Sequence, residues 1–369
     1  MSARSSWFQR YLLPGFAFKA VVIGGGYATG RELAEFFLPS GPRGGVLAML
    51  LATIVWSVVC VTTFLFARVT GSADYRTFFK NLLGPAWLAF EVTYFLFIVL
   101  ILAVFGAAAG EIGAALLEAP VLAGTLCFIG GIVVVAAYGN VSVERLFKWV
   151  SFFLYGVYAL FVILALSAFG EKVTASLLAD VPTSGWALGG LTYASYNVVG
   201  AVVILPVLRH ITSNRDAVIA GALAGPLAMV PALLFFVCMT AWYPQIADEA
   251  LPSDFLLARL NLPVFHVAFQ LMIFLALLES GTGCVHAINE RIAHAYRARQ
   301  RRELSRRGRL AIAGALLIMA IFLADRVGLV TLIARGYRML AYAILAVYVV
   351  PLMSYGVWLI RRQRPDRPG

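Results

Sequence analysis

Charged residues are scarce in this chain. Aspartate, glutamate, lysine and arginine make up 13% of its 369 residues, whereas apolar residues make up 62%. Soluble domains carry about a quarter charged residues and about half apolar ones. Because so few charges cannot cover the surface of a water-soluble protein of this size, we expect lipid to be the solvent for most of the surface.

Cysteine and histidine are rare as well, with four residues of each type. The cysteines all lie inside apolar runs, as small buried residues usually do. The histidines show no spacing with carboxylates that is typical of a metal site. The chain also lacks the GxSxG, HExxH and GK[ST] motifs of common catalytic and phosphate-binding sites. These absences predict a protein that is not an enzyme and has no metal centre or organic cofactor.

Basic residues dominate the few charges and give a net charge of +11. A strong positive charge alone would be compatible with nucleic-acid binding. Here the excess lies in short clusters between apolar runs, the densest at 297–309 and the second in the tail from Arg361 to Arg367. The positive-inside rule explains such clusters by membrane topology. We therefore expect a lipid bilayer, and no nucleic acid, as the partner of this surface.

Ten segments are apolar and long enough to cross a bilayer, which takes about 20 residues. They are 12–38, 45–69, 86–117, 120–138, 143–169, 186–209, 215–242, 262–296, 308–325 and 337–360. Basic residues concentrate at both termini and in the connections after even-numbered segments, which would share one side of the membrane. The sequence thus predicts a multi-pass protein of the cytoplasmic (inner) membrane with both termini cytoplasmic.

The ten segments divide into two halves of five with similar patterns of length. The halves cover approximately residues 12–169 and 186–360, and each has a long third segment and a shorter fourth one. Because each half has an odd number of spans, the halves must have opposite orientations. Inverted halves are typical of secondary transporters. We therefore predict an all-α integral membrane protein with one domain over residues 1–369, made of ten helices in a 5+5 inverted repeat.

Glycine interrupts the first segment at mid-depth. The interruption consists of Gly24, Gly25, Gly26, Tyr27, Ala28, Thr29 and Gly30. Consecutive glycines disfavour a continuous helix, and an unwound segment exposes backbone amides and carbonyls that can bind a solute or an ion. The alternative is close helix packing, because Gly26 and Gly30 also have the GxxxG spacing. We favour unwinding and assign this segment to solute binding.

The sixth segment has a matching polar stretch at mid-depth. Tyr193, Ser195 and Asn197 lie there, and Gly200 ends the stretch. The amide of Asn197 offers both a donor and an acceptor and needs a partner in hydrocarbon. We assign these side chains to solute binding, with an ordinary interhelical hydrogen bond and aromatic packing as the alternatives.

Ionisable residues within membrane segments are functional candidates by default. Those near the outer ends of the segments are Glu32, Glu35, Glu111 and Arg338. Glu32 and Glu35 share one helix face by the i, i+3 rule. We weigh two roles equally for the acids: a gate, or structural salt bridges with Arg31, Arg335 and Arg338.

Glu279 differs from the outer acids because no basic residue of its own segment lies at its depth. Ser280 and Thr282 follow it, and a buried carboxyl beside hydroxyls can bind a cation or carry a proton. Lys19, in the first segment, lies about one and a half turns before the glycines. We predict ion or proton coupling through Lys19, Glu279, Ser280 and Thr282, with a static pair between Lys19 and Glu279 as the alternative.

Four motifs together give the chain a family resemblance. They are Gly-Gly-Gly-Tyr-Ala-Thr-Gly-Arg-Glu-Leu at 24–33 with Glu35-Phe36-Phe37, Tyr193-Ala194-Ser195-Tyr196-Asn197, Glu279-Ser280-Gly281-Thr282-Gly283 and Asn289-Glu290-Arg291. The chain resembles the YkvI-like membrane proteins over nearly its whole length. That family is similar to the amino acid–polyamine–organocation superfamily.

The resemblance implies a LeuT-like fold in which helices 1 and 6 are broken around a central site. It also implies that backbone carbonyls near Gly24 to Gly26 and hydroxyls of Ser280 and Thr282 hold one sodium ion. Glu279 and Lys19 depart from the sodium-coupled pattern, so the resemblance leaves Na⁺ and H⁺ open as the coupling ion.

Together these features predict a secondary active transporter, a symporter for a small amino acid or a related amine or other organic solute. Its rivals are a small-molecule receptor or sensor on a transporter scaffold, and a channel. The sparse polar residues at mid-depth argue against the continuous polar path that a channel needs.

Overall fold

The computed structural model describes residues 6–23, 28–138, 141–301 and 304–362. The structure is 88% helical, and no strand occurs within these ranges. The predicted all-α architecture is therefore confirmed. In the described residues, seven helices are long and apolar enough to cross a membrane by length and composition.

The described residues of the first half form eight α-helices. They are α1 (Trp7–Tyr11), α2 (Leu13–Val22), α3 (Arg31–Phe36), α4 (Gly41–Val69), α5 (Tyr75–Leu83), α6 (Leu88–Leu117), α7 (Val121–Tyr138) and α8 (Val141–Leu178). The first predicted segment is thus split between α2 and α3. The fifth is longer than predicted, because α8 continues past the end of its apolar run at residue 169.

The second half begins with another divided helix. Its helices are α9 (Trp186–Asn197), α10 (Val199–Val203), α11 (Asn214–Thr240), α12 (Pro252–Leu260), α13 (Pro263–Gln300), α14 (Arg306–Val327) and α15 (Leu329–Arg362). Between α9 and α10 the interruption is short, at Val198, and a 3₁₀ helix over Leu205–His210 follows. Interruptions therefore occur in both segments where polar and glycine residues predict them.

Side-chain caps begin three helices that start in or next to basic connections of the chain. The hydroxyl of Ser213 accepts a hydrogen bond from the amide of Asp216 at the start of α11. Asp74 and Ser305 cap α5 and α14 in the same way. Such caps satisfy amides that a helix start leaves without an intrahelical partner. The sequence thereby fixes where these helices enter the apolar layer.

The helices pack as two groups that α8 connects. One group contains α2, α4, α9 and α11, and the other contains α6, α7, α13 and α14; α8 contacts both α11 and α13. Hydrogen bonds join α4 to two other helices of the first group. The indole of Trp56 donates to the carbonyl of Ala194 at 3.2 Å, and the Ser57 hydroxyl donates to the carbonyl of Ala222 at 2.9 Å. These hydrogen bonds therefore join the interrupted α9, and also α11, to α4.

Small residues allow α4 and α11 to approach closely. Gly221 and Gly225 of α11 lie against the backbone of α4, and a Cβ added at Gly221 would lie 2.6 Å from the Cα of Val61. Since the obstructing atoms belong to a helix backbone, they cannot move aside as a side-chain tip would. The GxxxG packing that the sequence suggests as an alternative for Gly26 and Gly30 is thus present in α11.

We expect Gly221→Leu to lower the free energy of unfolding by about 1–3 kcal/mol, the usual cost of overpacking. Chemical unfolding in mixed micelles measures this change. Gly314→Leu in α14 is the matched control, because nothing lies within 4 Å of a Cβ added there. Equal effects of the two substitutions would show that the α4–α11 contact is not the constraint.

Candidate functional site

The break in the first membrane segment ends in a left-handed residue. Gly30 has φ = 79° and immediately precedes α3, while α2 stops at Val22. A Cβ added at Gly30 would lie 2.6 Å from the ring of Phe235. Both the backbone conformation and the space therefore require glycine here. Four predicted solute-binding residues, Gly24, Gly25, Gly26 and Tyr27, lie outside the described residues.

Thr29 joins this break to α12. Its side chain is fully buried, its hydroxyl accepts the amide of Arg31 at 3.3 Å, and its carbonyl accepts the amide of Ser253 at 2.9 Å. A carbonyl released by unwinding thus finds a donor at the first turn of another helix, as burial in an apolar layer requires.

Arg31 makes a set of contacts on the same side of the break, and we name this set the outer clamp. Its Nη1 donates to the carbonyls of Ala247 and Glu249 at 2.7 and 2.8 Å, and its Nη2 donates to Glu35 at 3.0 Å. Glu35 also lies 3.9 Å from the guanidinium of Arg338 in α15. The outer clamp therefore links α3, the Gln245–Asp248 turn and α15.

Glu32 makes a separate contact across the two broken segments. The hydroxyl of Tyr196 in α9 donates to its carboxylate at 2.6 Å, and both side chains are buried. The ring of Tyr196 lies 4.6 Å from that of Tyr337, centroid to centroid. The acid is thus enclosed by aromatic rings and held by one phenol.

The polar side chains of α9 bond to their own helix. Ser195 donates to the carbonyl of Leu191 at 2.6 Å, and the Asn197 amide donates to the carbonyl of Tyr193 at 3.1 Å. Tyr193 is fully buried against the rings of Phe37 and Trp56. These residues share one helix next to the break, and in this state aromatic side chains fill the space around Tyr193.

Glu279 lines a cavity of about 220 Å³ on the opposite side of the break from the outer clamp. The cavity is lined by Ala20, Ile23, Leu154, Tyr155, Ala276, Glu279 and Ser280. It therefore lies between the end of α2, the middle of α8 and the middle of α13. Within the described chain, Glu279 has no hydrogen-bond or ion-pair partner among protein atoms. Its carboxylate is available to a ligand in the cavity.

Lys19 lies beside this cavity but does not pair with Glu279. Its ammonium lies 4.1 Å from the centroid of the Tyr155 ring, and Tyr155 also lines the cavity. No ion pair joins Lys19 to Glu279 in the residues the structure describes. The static pair is thus not formed in this state, and a cation–π contact takes its place.

Thr282 and Glu111 are placed apart from these groups. The Thr282 hydroxyl donates to the carbonyl of Leu278 within α13 at 2.7 Å, and Thr282 is not among the residues lining the Glu279 cavity. Glu111 is half-buried on α6, one residue after Gly110, which packs on Val121 of α7. Among the described side chains, it has no ion pair with Arg31 or Arg338.

Sequence reasoning did not identify Tyr155, Ser253 or the carbonyls of Ala247 and Glu249. Tyr155 looks like any aromatic residue of an apolar run, and a backbone carbonyl has no sequence signature. The only available signal for the carbonyls was the excess of donors in Arg31, a buried residue with five N–H groups that one carboxylate cannot satisfy.

Comparisons place this geometry in a known fold. No protein-family model matches the chain, and no curated protein matches it. A variant of the manganese transporter of Eremococcus coleocola is 16% identical, with a TM-score of 0.59 over 98% of this chain and 82% of that one. The structure of MhsT in complex with L-phenylalanine is 14% identical, with a TM-score of 0.58 over 97% and 98% of the two chains.

The inward-facing conformation of Mhp1 is also similar, with 16% identity and a TM-score of 0.55 over 97% of this chain and 78% of that one. These solved structures are transporters with the LeuT fold. At such low identity the likeness concerns the architecture rather than the cargo. The chain therefore has the LeuT-like fold that the family resemblance of its sequence implies.

Proposed function

We propose that this protein is a secondary active transporter that moves a small amino acid or a related amine or other organic solute across the cytoplasmic membrane. It works by alternating access and is coupled to H⁺ or Na⁺. The observation that carries the proposal is the unpaired carboxylate of Glu279 in a cavity at the broken helix, on the side opposite a closed clamp. The fold shared with solved transporters supports it.

The Glu279 cavity has the donor chemistry of a site for a hard monovalent cation. Glu279 offers a carboxylate, and Ser280 offers a hydroxyl. Ala20 and Ile23 lie at the C-terminal end of α2, where a helix leaves its last carbonyls without intrahelical donors. The helix dipole also favours a cation at this end. Oxygen ligands of this kind suit Na⁺, and the carboxylate alone suffices for H⁺.

Lys19 is assigned to coupling because its charge competes with the ion. Its flexible stem allows the ammonium to exchange the Tyr155 ring for the carboxylate of Glu279 when the ion has left. Thr282 is the last member of the proposed coupling group and lies two residues after Ser280 on α13. In this structure its hydroxyl donates to a backbone carbonyl of the same helix.

Solute binding is assigned to the two broken segments. The proposed contacts are Gly24, Gly25, Gly26, Tyr27, Thr29, Gly30, Tyr193, Ser195 and Asn197. The N-terminal end of α3 would favour a solute carboxylate. MhsT, solved in complex with L-phenylalanine, shows that a protein of this fold can hold an amino acid. Manganese, the cargo of another neighbour, is less well supported, because the described part of this chain holds no group of three or more His, Cys, Asp or Glu suited to a metal.

The outer clamp is assigned to gating, through Arg31, Glu35 and Arg338, with Glu32 and Tyr196 behind it. Glu111 belongs to the same proposed function at the outer end of α6. With both termini cytoplasmic, the clamp lies at the outer face of the membrane, and the Glu279 cavity lies towards the cytoplasm. This arrangement is that of a carrier closed to the outside.

Uptake into proteoliposomes tests the assignment of Glu279. We expect Glu279→Gln to lower gradient-driven uptake at least about tenfold, because losing a charged ligand costs about 1.5–3 kcal/mol. Solute exchange without an ion gradient should persist, since the solute contacts are unchanged. Glu290→Gln is the control, as Glu290 is on the same helix but pairs with Arg309 and is exposed.

Three outcomes would contradict this proposal. If Glu279→Gln and Asn197→Ala both transport at the wild-type rate, the assignments of Glu279 to ion coupling and of Asn197 to solute binding are wrong. Saturable binding without any flux would identify a receptor or sensor. Flux far above about 10³ molecules per second would exceed ordinary turnover and identify a channel.

Cysteine labelling tests the outer clamp. Ser253→Cys, in a chain whose four native cysteines are replaced by alanine, places a thiol at a fully buried position beside Thr29. We expect Arg31→Ala to raise its rate of reaction with a membrane-impermeant maleimide about tenfold or more, because hydrogen bonds to a charged group are worth about 1.5–3 kcal/mol.

Arg43→Ala is the matched control for labelling. Arg43 also donates to two carbonyls, those of Leu177 and Leu178, but on an exposed surface. Its loss should leave the labelling rate unchanged. If Arg31→Ala labels as slowly as the parent chain, the outer clamp is a structural brace and not a gate.

A further inference from the structure

A second cavity, of about 260 Å³, opens where α5, α6 and α13 meet. It is lined by Arg76, Trp87, Leu88, Glu91, Tyr94, Phe95, Ile288, Arg291, Ile292 and Ala295. It shares no lining residue with the Glu279 cavity. It lies near the C-terminal end of α13, which leads into the basic cluster at 297–309. The transport mechanism proposed above uses none of these residues.

Two cations that form no ion pair within the described residues lie near one end of this cavity: Arg76 lines the cavity, and Lys80 lies beside it. The guanidinium of Arg76 and the ammonium of Lys80 each lie 5.4 Å from the centroid of the Trp87 ring. Arg76 contacts the imidazole of His294 at 3.2 Å, and its buried Nε has no hydrogen-bond partner. Among the described residues, no carboxylate lies within 4.0 Å of either charge.

The nearby acid, Asp74, is already engaged. Its carboxylate accepts the amide of Thr77 at 3.0 Å and the hydroxyl of Thr77 at 2.8 Å, as the cap of α5. Asp74 attracts Arg76 without forming an ion pair with it, so the donor groups of Arg76 and Lys80 stay available to an external anion.

Arg291, in contrast, belongs to the wall of the cavity. It lies between the rings of Tyr75 and Tyr94, at 3.5 and 3.6 Å from their centroids, and donates to one oxygen of Glu91 at 3.0 Å. The other oxygen of Glu91, Oε1, is buried and has no hydrogen-bond donor. The cavity thus offers one acceptor next to two unpaired cations.

The opposite end of the cavity is an apolar stripe that faces outward. Leu88 and Phe95 on α6 and Ile292 on α13 line it, with 58%, 37% and 37% of their surfaces exposed. In a membrane such side chains contact acyl chains, and a tryptophan beside lysine or arginine marks the level of the headgroups.

We propose that this cavity binds an anionic phospholipid whose headgroup carries hydroxyls. The phosphate lies between Arg76 and Lys80, a headgroup hydroxyl donates to Oε1 of Glu91, and an acyl chain follows Leu88 and Phe95. Basic pockets between membrane helices are suited to such headgroups. The bound lipid holds α5 against α13 and thereby stabilises the fold.

Lipid retention measured by native mass spectrometry of the full chain tests this site. We expect phosphatidylglycerol to be retained about 25-fold more than phosphatidylcholine, since each of the two basic residues contributes about fivefold at a membrane surface. Phosphatidic acid, which lacks headgroup hydroxyls, should be intermediate. The double variant Arg76→Gln/Lys80→Gln should bind both phosphatidylglycerol and phosphatidylcholine equally weakly.

Two further variants separate the site from general charge and from misfolding. Ala295→Trp fills the cavity without changing charge and should abolish the preference for phosphatidylglycerol. Arg361→Gln/Arg362→Gln removes two exposed charges, one of them 5.2 Å from the Trp358 ring, and should leave the preference intact.

The proposal is overturned if phosphatidylglycerol and phosphatidylcholine are retained equally. It is also overturned if the Arg361/Arg362 variant loses the preference as fully as the Arg76/Lys80 variant, because bulk charge would then explain the binding. Inorganic phosphate that raises the melting temperature as much as phosphatidylglycerol would identify a free-anion site instead of a lipid site.

Discussion

A backbone polar group released from a helix inside hydrocarbon must find a partner in the protein, and this constraint governs the structure around α2 and α3. The carbonyl of Thr29 takes its donor from Ser253, and Arg31 supplies donors to the carbonyls of Ala247 and Glu249. Two irregular segments, each unfavourable alone in an apolar layer, thus satisfy one another. The break between α2 and α3 and the segment from Ala247 to Ser253 therefore depend on each other. Neither can be rearranged without leaving buried polar groups unpaired.

On the opposite side of the break, the polar groups do not all have partners within the described residues. There α2 ends at Val22, and the neighbouring Glu279 has no hydrogen-bond or ion-pair partner in the described chain. A carrier needs such an asymmetry, because a group fully bonded within the protein gains nothing from a ligand. The polar groups around Thr29 are bonded within the protein, whereas the carboxylate of Glu279 is left for the ion that we propose to bind there. In the proposed transport cycle, this structure corresponds to one end point, and the contacts on the two sides of the break are exchanged.

The sequence predicted the architecture well, because the thickness of the hydrocarbon layer sets the length of an apolar run. Hydropathy misjudged α8, which remains helical to Leu178, since helix formation does not stop where lipid ends. Within the site, the contact of Glu35 with Arg31 follows from i, i+4 spacing and opposite charge. The hydrogen bond between Glu32 and Tyr196 joins residues 164 positions apart, and no local sequence pattern predicts it. The position of Lys19 on Tyr155 was missed for the same reason, as charge indicated only Glu279 as an alternative partner for Lys19.

Lys19 also narrows the kind of ion that fits the Glu279 cavity. Lys19 and Glu279 together are neutral, so a monovalent cation adds one net charge to this apolar region, and a divalent cation adds two. Because Coulomb energies rise steeply where water is excluded, the second charge would be strongly opposed. Any bound cation repels Lys19, which belongs to α2, the half of the broken helix that no outer-clamp contact holds. In the proposed transport cycle, ion binding would therefore act directly on α2, and the break between α2 and α3 would transmit a movement of α2 to the contacts of Arg31.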